Sequence, residues 1–430
     1  MASETITLEG HIMDTGTLPK VLDEINASGA DFQMVDLQIG TRNEETSLAR
    51  IKISAESEDD LRALIERLSQ HGANTETIVD ARLVEADLDG ALPPGFYSTT
   101  NLNTEVRVKG HWIGVERPEM DCALVVEGDR ARTVPMADIA KGMQVVMGGL
   151  GVRVTPPERP EAAGQAFAFM SSDVSSEKPK ALLVEQVANQ MRAVKESGQR
   201  ILWVAGPAVV HTGSAPDLSA LIRAGYVDAL FAGNGVAAHD IESNMFGTSL
   251  GVSLAQGVAA EHGHEHHIRA INEIRRHGSF KAAIDAGVFS KGIVYELVKR
   301  GADYIFGGSV RDDGPLPEVV TDMRDVQRQL RDIIWGTDGQ ERIGFCIVVG
   351  TMLHGIATGN CLPADVPLVC VDINQATVTK LMDRGSFQSI GIITDVGLFI
   401  RELAEKLAPE ELRPPSEDAQ ERTAGSNTTL

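Results

Sequence analysis

The chain has 430 residues, with 39 Lys and Arg against 61 Asp and Glu, a net charge of −22 at pH 7. That charge excludes a protein that tracks nucleic-acid phosphates, which needs a basic face to displace counterions, and it repels anionic lipid headgroups. No apolar run reaches the ~18 residues of a membrane helix, the opening MASETITLEGHIMD lacks the basic and apolar parts of an export signal, and four cysteines without a CxxC pair favour a reducing cytoplasm.

Residues 1–88 read as six elements, each from its hydrophobic period. TITLEGHI alternates as a strand, and LPKVLDEINASG has helical spacing and a Gly stop. FQMVDLQIG and ETSLARIKISA read as adjacent strands joined by the polar turn TRNE. EDDLRALIERLSQHG is a helix with acids in its first turn, a stripe of Leu61, Leu64, Ile65 and Leu68, and Gly72 at its end. TIVDARLVEA closes the set as a strand, so the order is βαββαβ, a ferredoxin-like module.

Residues 89–178 change to short alternating runs, TEVRVKGHWIGVE, CALVVEG and GMQVVMGG, broken by Gly and Pro; they predict a small antiparallel β module. A Pro-rich connector, TPPERPEAAG, follows, and SSDVSSEKPK supplies caps for the next helix. Over residues 179–407 helices alternate with continuous apolar runs: ILWVAG, YVDALFAG, ADYIFGG, IGFCIVVG, PLVCVDI and SIGIITD. Uninterrupted apolar strands belong to a parallel sheet covered on both faces, so this part is α/β and Rossmann-like. The polar tail 408–430 is expected to be disordered.

In an open parallel sheet the ligand sits beyond the carboxyl ends of the strands, so the residues ending each run carry the chemistry. Gly233, Asn234 and Gly235 begin a GxGxxA turn that opens a helix, but no acid ends a strand about 20 residues later. The turn Gly350, Thr351, Met352, Leu353, His354 meets that requirement, because the next apolar run ends at Asp372, placed to hold a ribose diol or to cap the helix NQATVTKL. SIGIIT ends at Asp395 and Val396. The glycine-rich loop 306–314 carries Arg311, Asp312 and Asp313, either a site for an amine or a solvated turn. Residues 205–213 place His211 at a strand end, as an acid/base or as a structural hydrogen-bonding group. The His-rich run from Glu261 to His267 lacks HExxH, so no metal is expected; it reads as a polar loop feeding the helix IRAINEIRRHG. Cys346 and Cys370 lie in apolar strands and read as buried hydrophobes.

These motifs, with GFYSTTN, GVRVTPPERP, FMSSDVSSEKPK, FGTSLGV, SVRDDGPLPEVVTD and CVDINQATVTKLMDRGS, make residues 4 to about 407 resemble the LOR/SDH bifunctional enzyme conserved-domain family. Its characterised members are archaeal-type ornithine cyclodeaminases and the C-terminal part of cyanobacterial arginine dihydrolase/ornithine cyclodeaminase fusions. The resemblance implies a C-terminal domain similar to deoxyhypusine synthase with bound NAD. The implied contacts are Asn234, Gly235, Asp312, the run Thr351, Met352, Leu353 and His354, then Asp372, Asp395 and Val396. It also implies conversion of L-ornithine to L-proline and ammonia, with NAD recycled in each turnover. For the proton transfers the candidates are Asp313, Glu242 and His239, and for the substrate carboxylate Arg159 and Arg311. A homo-oligomer is expected. Two other readings stay open: a saccharopine-type or other NAD-dependent amino-acid dehydrogenase, and a non-catalytic NAD or amino-acid-binding regulator.

Overall fold

A computed structural model of the chain describes residues 2–13, 16–40, 45–69, 71–75, 78–155, 180–250, 252–253, 265–310, 314–337, 339–382 and 389–412. They fall into two compact units. The first is drawn from Met1–Asp173, Gly359–Pro367 and Arg384–Ser389, the second from the remaining residues. The expected site residues Arg159, Arg311, Asp312 and Asp313, the turn TRNE, the run SSDVSSEKP and the tail from 413 lie outside the described residues.

The first unit begins with β1 (Ala2–Gly10), α1 (Thr17–Ala27), β2 (Asp31–Gln38), β3 (Ser47–Ala55), α2 (Glu58–Ser69) and β4 (Asn74–Thr75). Their sheet order is β2-β3-β1-β4 with every pairing antiparallel, as a βαββαβ module requires. Alternation in β1 and β3 puts Ile6 opposite Ile51 and Leu8 opposite Ala49, all four buried. Leu18, Val21 and Ile25 of α1 and the predicted stripe of α2 close the same core, each large side chain stabilising by roughly 1.5–3 kcal/mol relative to exposure.

One element falls elsewhere than expected. TIVDARLVEA does not close this sheet; the two-residue β4 does, while β5 (Arg82–Glu85) pairs with a later strand, β10 (Gln144–Met147), in a second sheet. The reason lies in the side chains. Ile78 is 67% exposed, so the apolar start of the run fills no core, whereas Leu83 packs against the core of the second sheet. The remaining strands there are β6 (Asn103–Val108), β7 (His111–Glu116), β8 (Ala123–Glu127), β9 (Arg130–Val134) and β11 (Val152–Thr155). The order is β11-β6-β7-β9-β8-β10-β5. The β module is thus a seven-stranded sheet of short strands, and it is not wholly antiparallel, since β7 and β9 run parallel. The Asn101 side-chain amide donates to the Leu362 carbonyl at 3.1 Å, and the Ala364 and Met120 amides donate to the Asn101 and Asn360 carbonyls. These bonds fasten Gly359–Pro367 into this unit.

The second unit contains α3 (Lys180–Glu196), β12 (Arg200–Ala205), α4 (Ala208–His211), α5 (Ala215–Arg223), β13 (Ala229–Gly233) and α6 (Asn234–Phe246). A hairpin of β14 (Thr248–Ser249) and β15 (Val252–Ser253) follows, then α7 (His266–His277), α8 (Phe280–Asp285), α9 (Ile293–Arg300) and β16 (Asp303–Gly307). The chain continues through β17 (Val319–Val320), α10 (Met323–Trp335), β18 (Ile343–Val349), α11 (Leu353–Cys361), β19 (Leu368–Asp372), α12 (Gln375–Met382), β20 (Ser389–Ile393) and α13 (Val396–Leu407).

The sheet order is β17-β16-β13-β12-β18-β19-β20, and the strands from β17 to β19 pair in parallel. Every residue of β18 is buried, Cys346 included, and Cys370 is buried in β19, as strands covered on both faces must be. Without the short edge strand β17, this is the 3-2-1-4-5-6 order of a dinucleotide-binding fold. The chain leaves β12 toward β13 and leaves β18 toward β19, in opposite directions. The carboxyl ends of β12 and β18 therefore flank the topological switch point, where such sheets bind ligands.

Behind this edge a buried carboxylate joins two helices. Asp240 of α6 accepts the amides of Ile293 and Val294, at 3.0 and 2.9 Å, which open α9. Burial pushes its carboxyl up to about 6 against the pull of those amides. Asp240→Ala strands two buried donors and should cost about 2–3 kcal/mol. A folded pKa above the unfolded 3.8 means that the wild type loses part of this group's contribution as pH rises from about 4 through 6. Denaturant midpoints should accordingly show a larger deficit for the variant at pH 5 than at pH 8.

Candidate functional site

The two turns at the switch point are in backbone contact. The Gly206 amide donates to Val349 O at 2.9 Å, and the Gly350 amide donates to Val371 O at 3.0 Å. A Cβ on Gly206 would lie 1.9 Å from Gly350 O, so only glycine fits. Gly350 has φ +62, in the left-handed region, and a Cβ there would come 3.1 Å from Ala208 Cβ and 3.5 Å from a Val396 methyl. The turns after β12, β18 and β20 thus converge, with Thr212 of the first beside Gly397 of the last.

Around this point the helices α6, α11 and α13 begin at strand ends. Asn234, the first residue of α6, is buried and accepts the Leu316 amide at 3.1 Å. Gly235 faces Pro207. Thr351 Oγ1 lies 3.2 Å from His354 Nδ1 in the turn that opens α11 through Met352 and Leu353. The His354 ring meets the edge of Phe231 at 4.8 Å, and burial lowers its pKa, which favours a neutral imidazole. Asp372 ends β19, and its carboxylate accepts the Asn374 amide at 2.8 Å. The residue whose side chain caps α12 is Asn374, which accepts the Ala376 amide, so Asp372 is not the cap itself. Asp395 caps α13, accepting the Leu398 amide at 2.9 Å.

The crevice suits a dinucleotide. Helix-start amides and the Thr351 hydroxyl are donors for a pyrophosphate. Asp372 stands to the Gly350 turn as the ribose-binding acid stands to the fingerprint turn, one strand outward from the switch point.

A second polar cluster adjoins it, on α4, α6 and the β14–β15 hairpin. The rings of His211 and His239 are 4.9 Å apart at their centroids, tilted 59°. His239 Nδ1 lies 2.8 Å from Glu242 Oε2. The Glu242 carboxylate is fully buried and also accepts the Thr248 hydroxyl at 2.9 Å and the Leu250 amide at 3.2 Å. Leu250 adopts φ +52, a strained conformation for a branched side chain, which this amide bond helps to hold. His211 Nδ1 lies 2.7 Å from Ser249 Oγ, and Thr248 Oγ1 also lies 2.9 Å from His266 Nδ1. Burial lowers the His211 pKa, the neighbouring His239 lowers it further, and Glu242 pulls it up. Among the described residues no group of His, Cys, Asp or Glu could hold a metal ion, and no helix is long and apolar enough to cross a membrane.

Sequence reasoning selected Asn234, Gly235, Thr351, Met352, Leu353, His354, Asp372, Asp395 and Val396 singly, and all of them lie at the carboxyl ends of this sheet. It missed Thr248, Ser249 and the Leu250 amide. Their local signal was the short polar run after the helix-ending Gly247; the Ser249 contact to His211 joins segments 38 residues apart, and those of Thr248 and Leu250 fold the chain back onto Glu242 of the preceding helix.

Three family profiles match the chain in succession: the LOR/SDH bifunctional enzyme conserved region over residues 3–102, the first region of the ArgZ-like arginine dihydrolase C-terminal part over 103–184, and its Rossmann fold over 185–403. The ornithine cyclodeaminase of Methanothermobacter thermautotrophicus is 47% identical over 93% of this chain and 96% of its own length. The crystal structure of apo ArgZ, an arginine dihydrolase from cyanobacteria, superposes with a TM-score of 0.80 at 36% identity, over 95% of this chain and 58% of that one. AgrE, the bifunctional arginine dihydrolase/ornithine cyclodeaminase of Nostoc sp., in its ternary complex with ornithine and NAD+, matches with a TM-score of 0.51 at 40% identity, over 95% of this chain and 59% of that one. The chain thus spans just under three fifths of the bifunctional proteins and nearly all of the archaeal one. By sequence and by fold, this chain belongs to the ArgZ-like C-terminal family, whose members include the archaeal ornithine cyclodeaminases.

Proposed function

We propose that this chain is an ornithine cyclodeaminase, a lyase that converts L-ornithine to L-proline and ammonia with NAD as a recycled cofactor. It would act in the cytoplasm as a homo-oligomer, in proline formation and arginine and ornithine breakdown. The observation that carries the reading is the adjacency, at one sheet edge, of a dinucleotide-shaped switch point and a His–Glu pair whose carboxylate is buried. Bound NAD supplies a hydride acceptor that becomes a hydride donor within one turnover, so a redox cofactor can serve a reaction with no net oxidation.

The chain's own residues then have separable tasks. Asn234, Gly235 and the run Thr351 to His354 would hold the pyrophosphate and its neighbouring ribose. Asp372 would take the other ribose diol, while Asp395 and Val396 line the floor. Burial favours a neutral His354, which would add no positive charge to the crevice. His239, oriented by Glu242, would exchange protons with the substrate amines.

The test is to supply L-ornithine and catalytic NAD while following proline, ammonia and absorbance of NADH. Equal proline and ammonia without net NADH is the expected result. Steady NADH accumulation would identify an amino-acid dehydrogenase instead, and binding without turnover a regulator. Asp372→Ala should weaken NAD binding by about 1.5–3 kcal/mol, or roughly 10- to 100-fold, with turnover recovering at saturating NAD. Titration with NADH, whose fluorescence reports binding, checks it.

A further inference from the structure

We propose that two touching histidines, His211 and His239, carry the proton transfers of the ring-closing step, and that Glu242 is their positioning residue rather than a base. The proposal rests on the ornithine reading above and deepens it.

Glu242 is the least able of the three to meet a substrate. It is fully buried, and its carboxylate already accepts from His239, Thr248 and Leu250. Because a carboxylate only accepts, His239 Nδ1 carries the hydrogen of that bond, and Nε2 is the atom that can exchange a proton. The hairpin that completes the shell of Glu242, through Thr248 and Leu250, also holds His211 through Ser249. One hairpin thus fixes both rings, although they arrive from different strands, His211 after β12 and His239 after β13.

The chemistry needs two such groups. In ring closure C2 holds the α-nitrogen as a protonated imine; the δ-amine adds to C2 and the α-nitrogen leaves, so that one C2=N double bond replaces another. The step neither gains nor loses electrons. The δ-nitrogen must give up a proton, and the departing nitrogen must take one to leave as ammonia. A base and an acid are required within a few ångströms of the same carbon.

Rings 4.9 Å apart accommodate one positive charge far more readily than two, so when one is the acid the other is the base. The charged and titratable groups around His211 are His239 and Glu242 of α6. On α7, His267 lies 6.3 Å from His239, and His266 bonds to Thr248.

The test has two arms. In the first, His211→Gln and His239→Gln, each with an Asn counterpart and each checked for wild-type thermal unfolding and NAD binding, are assayed for proline. Each should lose about 100-fold or more, in the range of a general acid or base. The second arm needs no turnover: the imidazole NMR signals of the protein are titrated without substrate. His239→Gln removes a neighbouring positive charge, so the His211 midpoint should rise; Glu242→Gln removes a negative one, so it should fall. A His211 variant that forms proline near the wild-type rate, or a His211 midpoint indifferent to both neighbours, would overturn the proposal. Should the wild type form no proline, the ornithine reading fails and the ring-closing role with it, while the NMR arm still decides whether the two rings are electrostatically coupled.

Discussion

Gly206→Ala should weaken NAD binding by roughly 100-fold. The added Cβ would fall 1.9 Å from the carbonyl oxygen of Gly350, 2.7 Å from its carbon and 3.2 Å from Thr351 Cβ. Two of those atoms are backbone, so no rotamer change relieves the overlap, and the turns after β12 and β18 must separate. Overpacking of this kind costs about 3 kcal/mol, which corresponds to roughly 100-fold in affinity if it falls wholly on the bound form. Gly235→Ala is the steric control. Its Cβ would meet only Pro207 Cγ at 3.6 Å, so thermal unfolding should stay near the wild type. Calorimetric titration of both variants with NAD, beside their unfolding curves, separates loss of the crevice from loss of the fold.

The second large effect is expected from Glu242→Ala. Removing this carboxylate takes the acceptor from a ring N–H and a backbone amide, and leaves the Thr248 hydroxyl only His266 as a partner. Each stranded donor costs about 1–3 kcal/mol, with the sum reduced where the hairpin can relax. Leu250 would also lose the bond that holds it at φ +52, so β14 and β15 should loosen. The variant should unfold at a lower denaturant concentration than Glu242→Gln, which keeps the shape, while both lose turnover. Equal stability of the two variants would show that the carboxylate's contacts contribute little to the fold.

Much of this arrangement is legible in the sequence wherever one period dominates. The stripe of α2 and the apolar runs of β12, β13, β16, β18, β19 and β20 reflect burial on one face and on both faces respectively. The strand ends followed from the same logic, because the polar residue after a buried strand is where the chain meets ligand. What stayed hidden was decided by partners remote in sequence. Nothing local to Asn74 and Thr75 marks them as the fourth strand of the first sheet, and Val319 and Val320 are too short a run to show a period. The parallel pairing of β7 with β9 depends on how the chain turns between them, not on alternation within either strand. Likewise, Asp372 and Asn374 are equally good caps on paper, and only the geometry assigns the bond to Asn374.

The nine residues Gly359–Pro367 sit in mid-chain between β18 and β19, yet they fold with the first unit. Neither unit is therefore a contiguous stretch of polypeptide. Exchanging the N-terminal part for another would remove the partners of Leu362 and Asn360, which lie between β18 and β19. Cutting the chain between the two halves therefore does not separate the two units.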